Sequence, residues 1–405
     1  MASQDKWITK VAFLGISFVL TSAYAINGAL PKMTEELHIT TTQSQVLATT
    51  PSIAVTIFVL LSSFIANKLG DKRTIILGVT LVGVAGVVPF FVSSYPIILA
   101  SRAVLGAGFG IFNSLAVSMI SVMYDGQVRS SMLGIRAASE QIGQAVLTFA
   151  AGLLLSFGWR ETFLVYLIAF PILYLFYRQV PDTSEMIGKV AVSSDDEDAA
   201  TTTTTLQDEP QKVSALVGVL TLFAAFLVID YMAIQLSFPF MAAELKGDGY
   251  NASPVLSAML IAAMLGGILY GRFQNMFGRF TLQIGLVLMA LSNFMVAFSN
   301  GNFFVLCAGV LLIGFPLQLI SPFIFNQLPK LAPLRKQALV TSIILIGFNV
   351  GVFIEPFVIS TMGAILNSAD NRAAYESIPY LGVVLLAIAI VTIFTAREKK
   401  PLLAE

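Results

Sequence analysis

The chain has 405 residues, of which 57% are hydrophobic and 11% charged, and its 23 basic residues are balanced by 23 acidic ones. Soluble proteins carry roughly 25% charged residues, so this chain is too poor in charge to cover a water-facing surface, and its zero net charge offers nucleic acid no hold. One cysteine, Cys307, and one histidine, His38, leave no intramolecular disulfide and argue against Cys/His metal centres or a histidine-based triad; no metal or cofactor is expected.

In chain order, Lys6 and Lys10 precede an apolar run that continues to about Gly28. The run is too long for a signal-peptide core and no small-residue cleavage site is followed by a soluble domain, so it is expected to remain as a first span. A hydrocarbon core of about 30 Å takes about 20 apolar residues. Five further runs follow in the first half: Ser44–Ala66, Thr74–Val92, Pro96–Ser118, Ser130–Ser156 and Thr162–Tyr177. The second half supplies six: Val213–Ala242, Pro254–Tyr270, Phe280–Phe298, Phe303–Phe325, Ala338–Ile365 and Tyr375–Thr395. The expected fold is an all-α membrane protein with twelve transmembrane helices. Residues 1–178 and 213–396 each form a six-helix bundle, and 397–405 form a tail. Between the bundles, 179–212 holds Asp195-Asp196-Glu197-Asp198 and the threonine run Thr201 to Thr205. Such a segment buries too little apolar area to fold alone, so a disordered cytoplasmic tether is expected.

Basic residues set orientation. With the N-terminus placed inside, the outer segments carry only Lys32, Arg160, Lys246 and Arg372, and the inner segments hold nearly all the other basic residues. Both termini are therefore expected in the cytoplasm, in a multi-pass protein of the cell membrane.

An offset of 208 residues relates the two halves. It matches Ile26 to Ile234, Pro31 to Pro239, Met33 to Met241, Glu36 to Glu244, Asn67 to Asn275, Gly70 to Gly278, Gly106 to Gly314 and Gly143 to Gly351. One register held from the first span to the fifth makes the halves pseudo-symmetric parallel repeats. The motifs resemble those of the major facilitator superfamily. That family's loop between spans 2 and 3 looks like Gly-x-x-x-Asp-Arg-x-Gly-Arg-Arg/Lys. Here Ser63, Asn67, Lys68, Gly70, Asp71 and Lys72 occupy its places, with Arg73 next, and Gly271, Asn275, Gly278 and Arg279 match the frame in the second half. Asn replaces the acidic residue in both copies. Arg102, Gly106 and Gly108 match the span-4 motif Arg-x-x-x-Gly-x-Gly, and Gly158-Trp159-Arg160 is a common family sequence before span 6. The resemblance implies alternating access by two bundles, with the Asn67–Arg73 loop as a cytoplasmic latch. An asparagine there can hydrogen bond but cannot form a charge pair, so the latch is expected to be weaker, or to use Asp71.

Charges inside spans are costly in hydrocarbon, by roughly 2.5–3.5 kcal/mol each on insertion scales. Five qualify: Arg102, Arg136, Glu140, Asp230 and Glu355. Arg136 and Glu140 are four apart and share a helix face. Arg102 and Asp230 both fall in the outer halves of their spans by the 1.5 Å rise. By the resemblance, in which spans 1, 4, 7 and 10 line the cavity, they would face each other or a substrate. Burial disfavours a charged carboxyl and a nearby cation favours it, a balance suited to a proton carrier at Asp230, Glu140 or Glu355. Asn27, Asn113, Tyr231, Gln235 and Gln318, with Gln141, Gln144 and Asn349 on neighbouring spans, are candidate pocket residues. Asn27 with Gln235, and Gln141 with Asn349, share the repeat register, as a pseudo-symmetric central site would.

No Walker-type Gly-x-x-x-x-Gly-Lys-Ser/Thr loop is present, so an ion gradient, protons above all, is the expected energy source. The expected partners are the lipid bilayer, a small-molecule substrate and a proton or other coupling ion, and the expected state is a monomer without enzymatic activity. Proton-coupled efflux of amphipathic compounds is favoured, and the resemblance leaves the drug:proton-antiporter branch open. The proline-containing span-5 signature of that branch is absent at Gly143-Gln144-Ala145. Uptake of a small organic anion, with Arg102 or Arg136 as counter-charge, is the alternative. A non-transporting membrane sensor is a third reading.

Overall fold

The computed structural model describes residues 7–20, 22–123, 126–180, 214–247, 249–326, 331–368 and 372–398. Almost all of the 179–212 linker and most of the 397–405 tail lie outside them. The chain forms two compact units, Met1–Ile39 with Val46–Glu209, and Thr40–Gln45 with Pro210–Glu405. Among the described residues nine helices are long and apolar enough to cross a membrane, and a bent pair, Trp7–Leu20 with Ser22–Leu37, makes a tenth. Two more helices complete the twelve. Thr281–Ala297 has 17 residues, and Gly126–Leu154 is interrupted by Arg136, Glu140, Gln141 and Gln144.

In chain order the spans are 1, Trp7–Leu37 with its break; 2, Thr41–Leu69; 3, Asp71–Phe91; 4, Tyr95–Met123; 5, Gly126–Leu154; 6, Glu161–Gln179, opening as 3-10; 7, Leu216–Lys246; 8, Ser253–Phe277; 9, Thr281–Ala297; 10, Phe303–Phe325; 11, Leu334–Ile365; and 12, Ala373–Glu398. Span 1 packs on 5 and 6, and 3 on 4 and 6; correspondingly 7 packs on 11 and 12, and 9 on 10 and 12.

Lipid offers no hydrophobic force between helices, so close packing of small residues must supply it. The repeat register places that packing identically in both units. A Cβ on Gly106 would lie 2.4 Å from the Pro51 carbonyl oxygen, and one on Gly314 would lie 2.3 Å from that of Met259. The two contacts correspond residue for residue at the offset of 208, Gly106 with Gly314 and Pro51 with Met259. Gly110 on span 4 meets the Val55 carbonyl in the same way, Gly143 on span 5 meets that of Phe18, and Gly347 and Gly351 on span 11 meet those of Thr221 and Ala225.

The two charged hairpins also repeat. Gly70 has φ of 82° and Gly278 has φ of 51°, a region that side chains disfavour. Each glycine turns the chain between consecutive spans. Asp71 opens span 3 and is buried, where the helix N-terminus favours a carboxylate. Lys68 Nζ stacks 4.6 Å from the Phe64 ring centre and Lys72 Nζ 5.4 Å from that of Tyr177.

Span 1 is not the unbroken helix that its apolar run predicts. Over Ser22–Ala29 the backbone is 3-10, and the pieces Trp7–Leu20 and Ser22–Leu37 meet at 41°. A neighbouring charge accounts for the break. Pro51 lies within span 2 and has no N–H, so the Leu47 carbonyl four residues earlier loses its helical donor. Arg102 Nε fills that place at 3.0 Å. Its Nη2 donates to the Ala23 carbonyl and its Nη1 to the Tyr166 hydroxyl at 2.7 Å, and Tyr166 in turn donates to the Ser22 carbonyl at 3.0 Å. The buried guanidinium thus joins spans 1, 2, 4 and 6. Gly106, one helical turn along span 4, sits against Pro51 itself.

Two outcomes are expected in detergent thermal-shift assays. Gly314→Val lowers the melting temperature, with overpacking of about 1–3 kcal/mol, whereas Gly267→Ala does not, because a Cβ there meets nothing within 4 Å. Arg102→Lys and Tyr166→Phe each leave buried groups unpaired, at about 1–3 kcal/mol per group. Because both changes break one network, the double variant loses less than the sum of the single losses.

Candidate functional site

Most of span 7 is buried along its length, so the polar residues it carries are enclosed by protein. Asp230 lies near its middle and is fully buried. Its Oδ1 accepts a hydrogen bond of 2.6 Å from Asn293 Nδ2 on span 9. Its Oδ2 has no partner among the described residues, nor does Asn293 Oδ1. Glu355 on span 11 is also fully buried, and neither carboxyl oxygen has a partner. Spans 7 and 11 run parallel, with Gly347 against Thr221 and Gly351 against Ala225. One further step of four residues brings Glu355 level with Ile229 and Asp230. Among the described residues, no salt bridge reaches either carboxyl, and an ionised carboxylate buried without a charge partner is costly.

The first unit carries the opposite chemistry, already neutralised. Arg136 Nη2 lies 2.7 Å from Glu140 Oε1 and donates to Asn113 Oδ1, also at 2.7 Å. The Arg136 and Glu140 side chains are 12% and 19% exposed, so this group is not fully enclosed by protein. Arg102 is 1% exposed and is held by the carbonyls and hydroxyl described above. Within their own units, Arg102 is held by Leu47, Ala23 and Tyr166, and Asp230 by Asn293. For Arg102 the physical reason is that Pro51 and the break in span 1 leave acceptors that a guanidinium fork matches in direction and number.

The amide candidates divide by environment. Asn27 on span 1 and Gln235 on span 7, equivalent in the repeat, are each 1% exposed. Neither amide atom of Asn27 has a partner, nor does Gln235 Oε1. Tyr231 and Gln144 are buried, whereas Gln141 and Gln318 are half-buried. Asn349, half-buried like its repeat equivalent Gln141, donates its Nδ2 to the Leu345 carbonyl of its own helix at 3.0 Å. In the loop motif Asn67, Arg73 and Asn275 are exposed. The Arg279 side chain lies outside the described set.

Asn293 is uncharged and so stands outside the set of charged span residues. The available signal is a lone amide in the apolar stretch Leu291-Ser292-Asn293-Phe294 of span 9. Its partner, 63 residues earlier on another span, has no sequence signature.

A family model for the Major Facilitator Superfamily matches residues 12–228 and 220–404. Among curated proteins, the methylenomycin A resistance protein of Streptomyces coelicolor is 24% identical over 331 residues, 75% of this chain and 69% of that one. Multidrug resistance protein Stp of Mycobacterium tuberculosis is 22% identical over 154 residues, only 38% of this chain and 29% of its own length. The probable 4-methylmuconolactone transporter of Cupriavidus pinatubonensis is 25% identical over 38% of this chain and 37% of its own length. Among solved structures, nucleoside transporter NupG matches with a TM-score of 0.73 at 13% identity, covering 95% of this chain and 99% of that chain. The inward-open xylose transporter XylE from E. coli matches with a TM-score of 0.71 at 16% identity, covering 95% of each. With both halves matched by its model, the chain belongs to the Major Facilitator Superfamily.

Proposed function

We propose that the protein is a secondary active transporter that moves a small organic solute by alternating access, driven by protons. The observation that carries the reading is the pair of fully buried carboxyls, Asp230 and Glu355, with no cationic partner among the described residues. A group that must be neutralised from outside can take a proton on one side of the membrane and release it on the other. Efflux of amphipathic compounds is the favoured direction, in keeping with the resistance relatives named above. Arg136 is already paired with Glu140, which disfavours its use as counter-charge in an anion uptake system.

In this reading residues 1–178 and 213–396 are the two moving bundles, joined by 179–212 and followed by the tail 397–405. The protein acts as a monomer in the cell membrane, with both termini in the cytoplasm. The Asn67–Arg73 and Asn275–Arg279 loops then face the cytoplasm as hinges, and Asn67 or Asp71 serves as the latch.

Reconstitution into liposomes with an imposed pH gradient tests this directly, with ethidium, xylose and benzoate as probes. Gradient-driven flux of ethidium is expected, and Asp230→Asn is expected to abolish uphill flux while leaving exchange down a solute gradient. Absence of flux for every probe, with or without the gradient, would favour a sensor role and sink the proposal.

The latch has its own measurement. Asn67→Asp restores a carboxylate beside Lys68, and spin-label distances between cytoplasmic loops are expected to move toward the outward-open population by up to about five-fold, the range of a surface charge contact. Unchanged distances would remove Asn67 from the latch.

A further inference from the structure

Asp230 and Asn293 belong to spans 7 and 9, which are not primary neighbours in the bundle; span 12 packs against both. The side chain of Asn293 reaches Asp230 past Gly382 of span 12. A Cβ at Gly382 would lie 3.1 Å from Asn293 Cβ and 3.5 Å from its Nδ2. Glycine at 382 therefore gives the amide room to stand where it does. Asn293 is fully buried, so this placement is not an accident of a free side chain at a surface. An amide can also serve both states of a carboxyl. Its N–H donates to the carboxylate, and after a flip of the amide its oxygen accepts from the protonated acid. The unpartnered Asn293 Oδ1 and Asp230 Oδ2 leave both atoms free for that second arrangement.

We propose that Asn293, admitted by Gly382, is a positioning residue that sets the pH at which Asp230 exchanges its proton. The inference rests on the reading of Asp230 as the proton carrier. A hydrogen bond to a charged group outweighs one to a neutral group, so Asn293 favours the ionised carboxylate. Loss of the amide makes Asp230 hold its proton to higher pH. Around Asp230, span 11 contributes Glu355 at the same level. Span 10 carries Cys307, span 12 carries Tyr375 and Glu376 at its first turn and Tyr380 beyond it, and span 9 carries no ionisable side chain.

Infrared titration of the full-length protein in lipid vesicles tests this without a substrate. The carbonyl stretch of the protonated carboxyl is followed against pH and assigned to Asp230 by its loss in Asp230→Asn. In Asn293→Ala the midpoint of that band is expected to move to the alkaline side by about 1–2 pH units, the strength of one hydrogen bond to a charge. Gly382→Ala is expected to move it in the same direction. Asn293→Ala/Gly382→Ala moves it no further than Asn293→Ala alone, a non-additivity that general loosening of the bundle would not produce. If Asp230→Asn removes no titrating band, the carrier reading fails and this inference falls with it. If the band is present but Asn293→Ala leaves its midpoint in place, only the role of Asn293 is overturned.

Discussion

The arrangement of the first unit depends on a hydrogen-bond deficit in span 2. Pro51 cannot donate, so the Leu47 carbonyl is left without its helical partner in a region where water is scarce. Arg102 meets the deficit, and its remaining donors draw in the Ala23 carbonyl and the Tyr166 hydroxyl. The break in span 1 is tolerated because Arg102 and Tyr166 donate to the Ala23 and Ser22 carbonyls there. The cation, in turn, is tolerable because carbonyl dipoles surround it. Gly106, one turn along span 4, then allows spans 2 and 4 to touch through backbone at Pro51.

The two halves share this packing but not its chemistry. Offset by 208 residues, Gly106 and Pro51 become Gly314 and Met259, and the close contact survives the loss of the proline. Arg102, however, corresponds to Val310, and Asp230 to Ser22, the residue at which span 1 breaks. Glu355 corresponds to Leu147. Duplication preserved the small residues that set helix distance, while the ionisable groups diverged. One half came to hold cations that its own carbonyls and Glu140 satisfy. The other came to hold two carboxyls that nothing charged in its own helices satisfies.

This division explains what could be read from the chain beforehand. Span number, the 208-residue register and the glycine contacts were legible because each depends on residue type and spacing alone. Gly70 and Gly278 are the clearest case: two loops of different composition turn on glycine at equivalent positions, each with positive φ. The destinations of the charges were not legible. The resemblance sets Arg102 and Asp230 toward the pathway, facing each other or a substrate, but it does not say what holds each one within its own unit. The actual acceptors of Arg102 are backbone carbonyls and a tyrosine hydroxyl from three other spans, and a carbonyl carries no sequence signal. Asn293 was missed for the same reason, since one amide in an apolar helix gains meaning only from what stands opposite it.

The asymmetry also bears on how a gradient would be coupled. A carboxylate already held by a resident cation, as Glu140 is by Arg136, gains little from a proton, because protonation would break the ion pair. Asp230 is held only by a neutral amide and Glu355 by no polar side chain at all. Protonating either relieves a desolvation penalty without breaking a salt bridge. The energetic advantage of taking up a proton is therefore concentrated in the second unit, at one level of two adjacent helices. Those helices meet through Gly347 and Gly351, which pack against Thr221 and Ala225, so a change of charge at Glu355 or Asp230 falls one helical turn beyond a close helix contact.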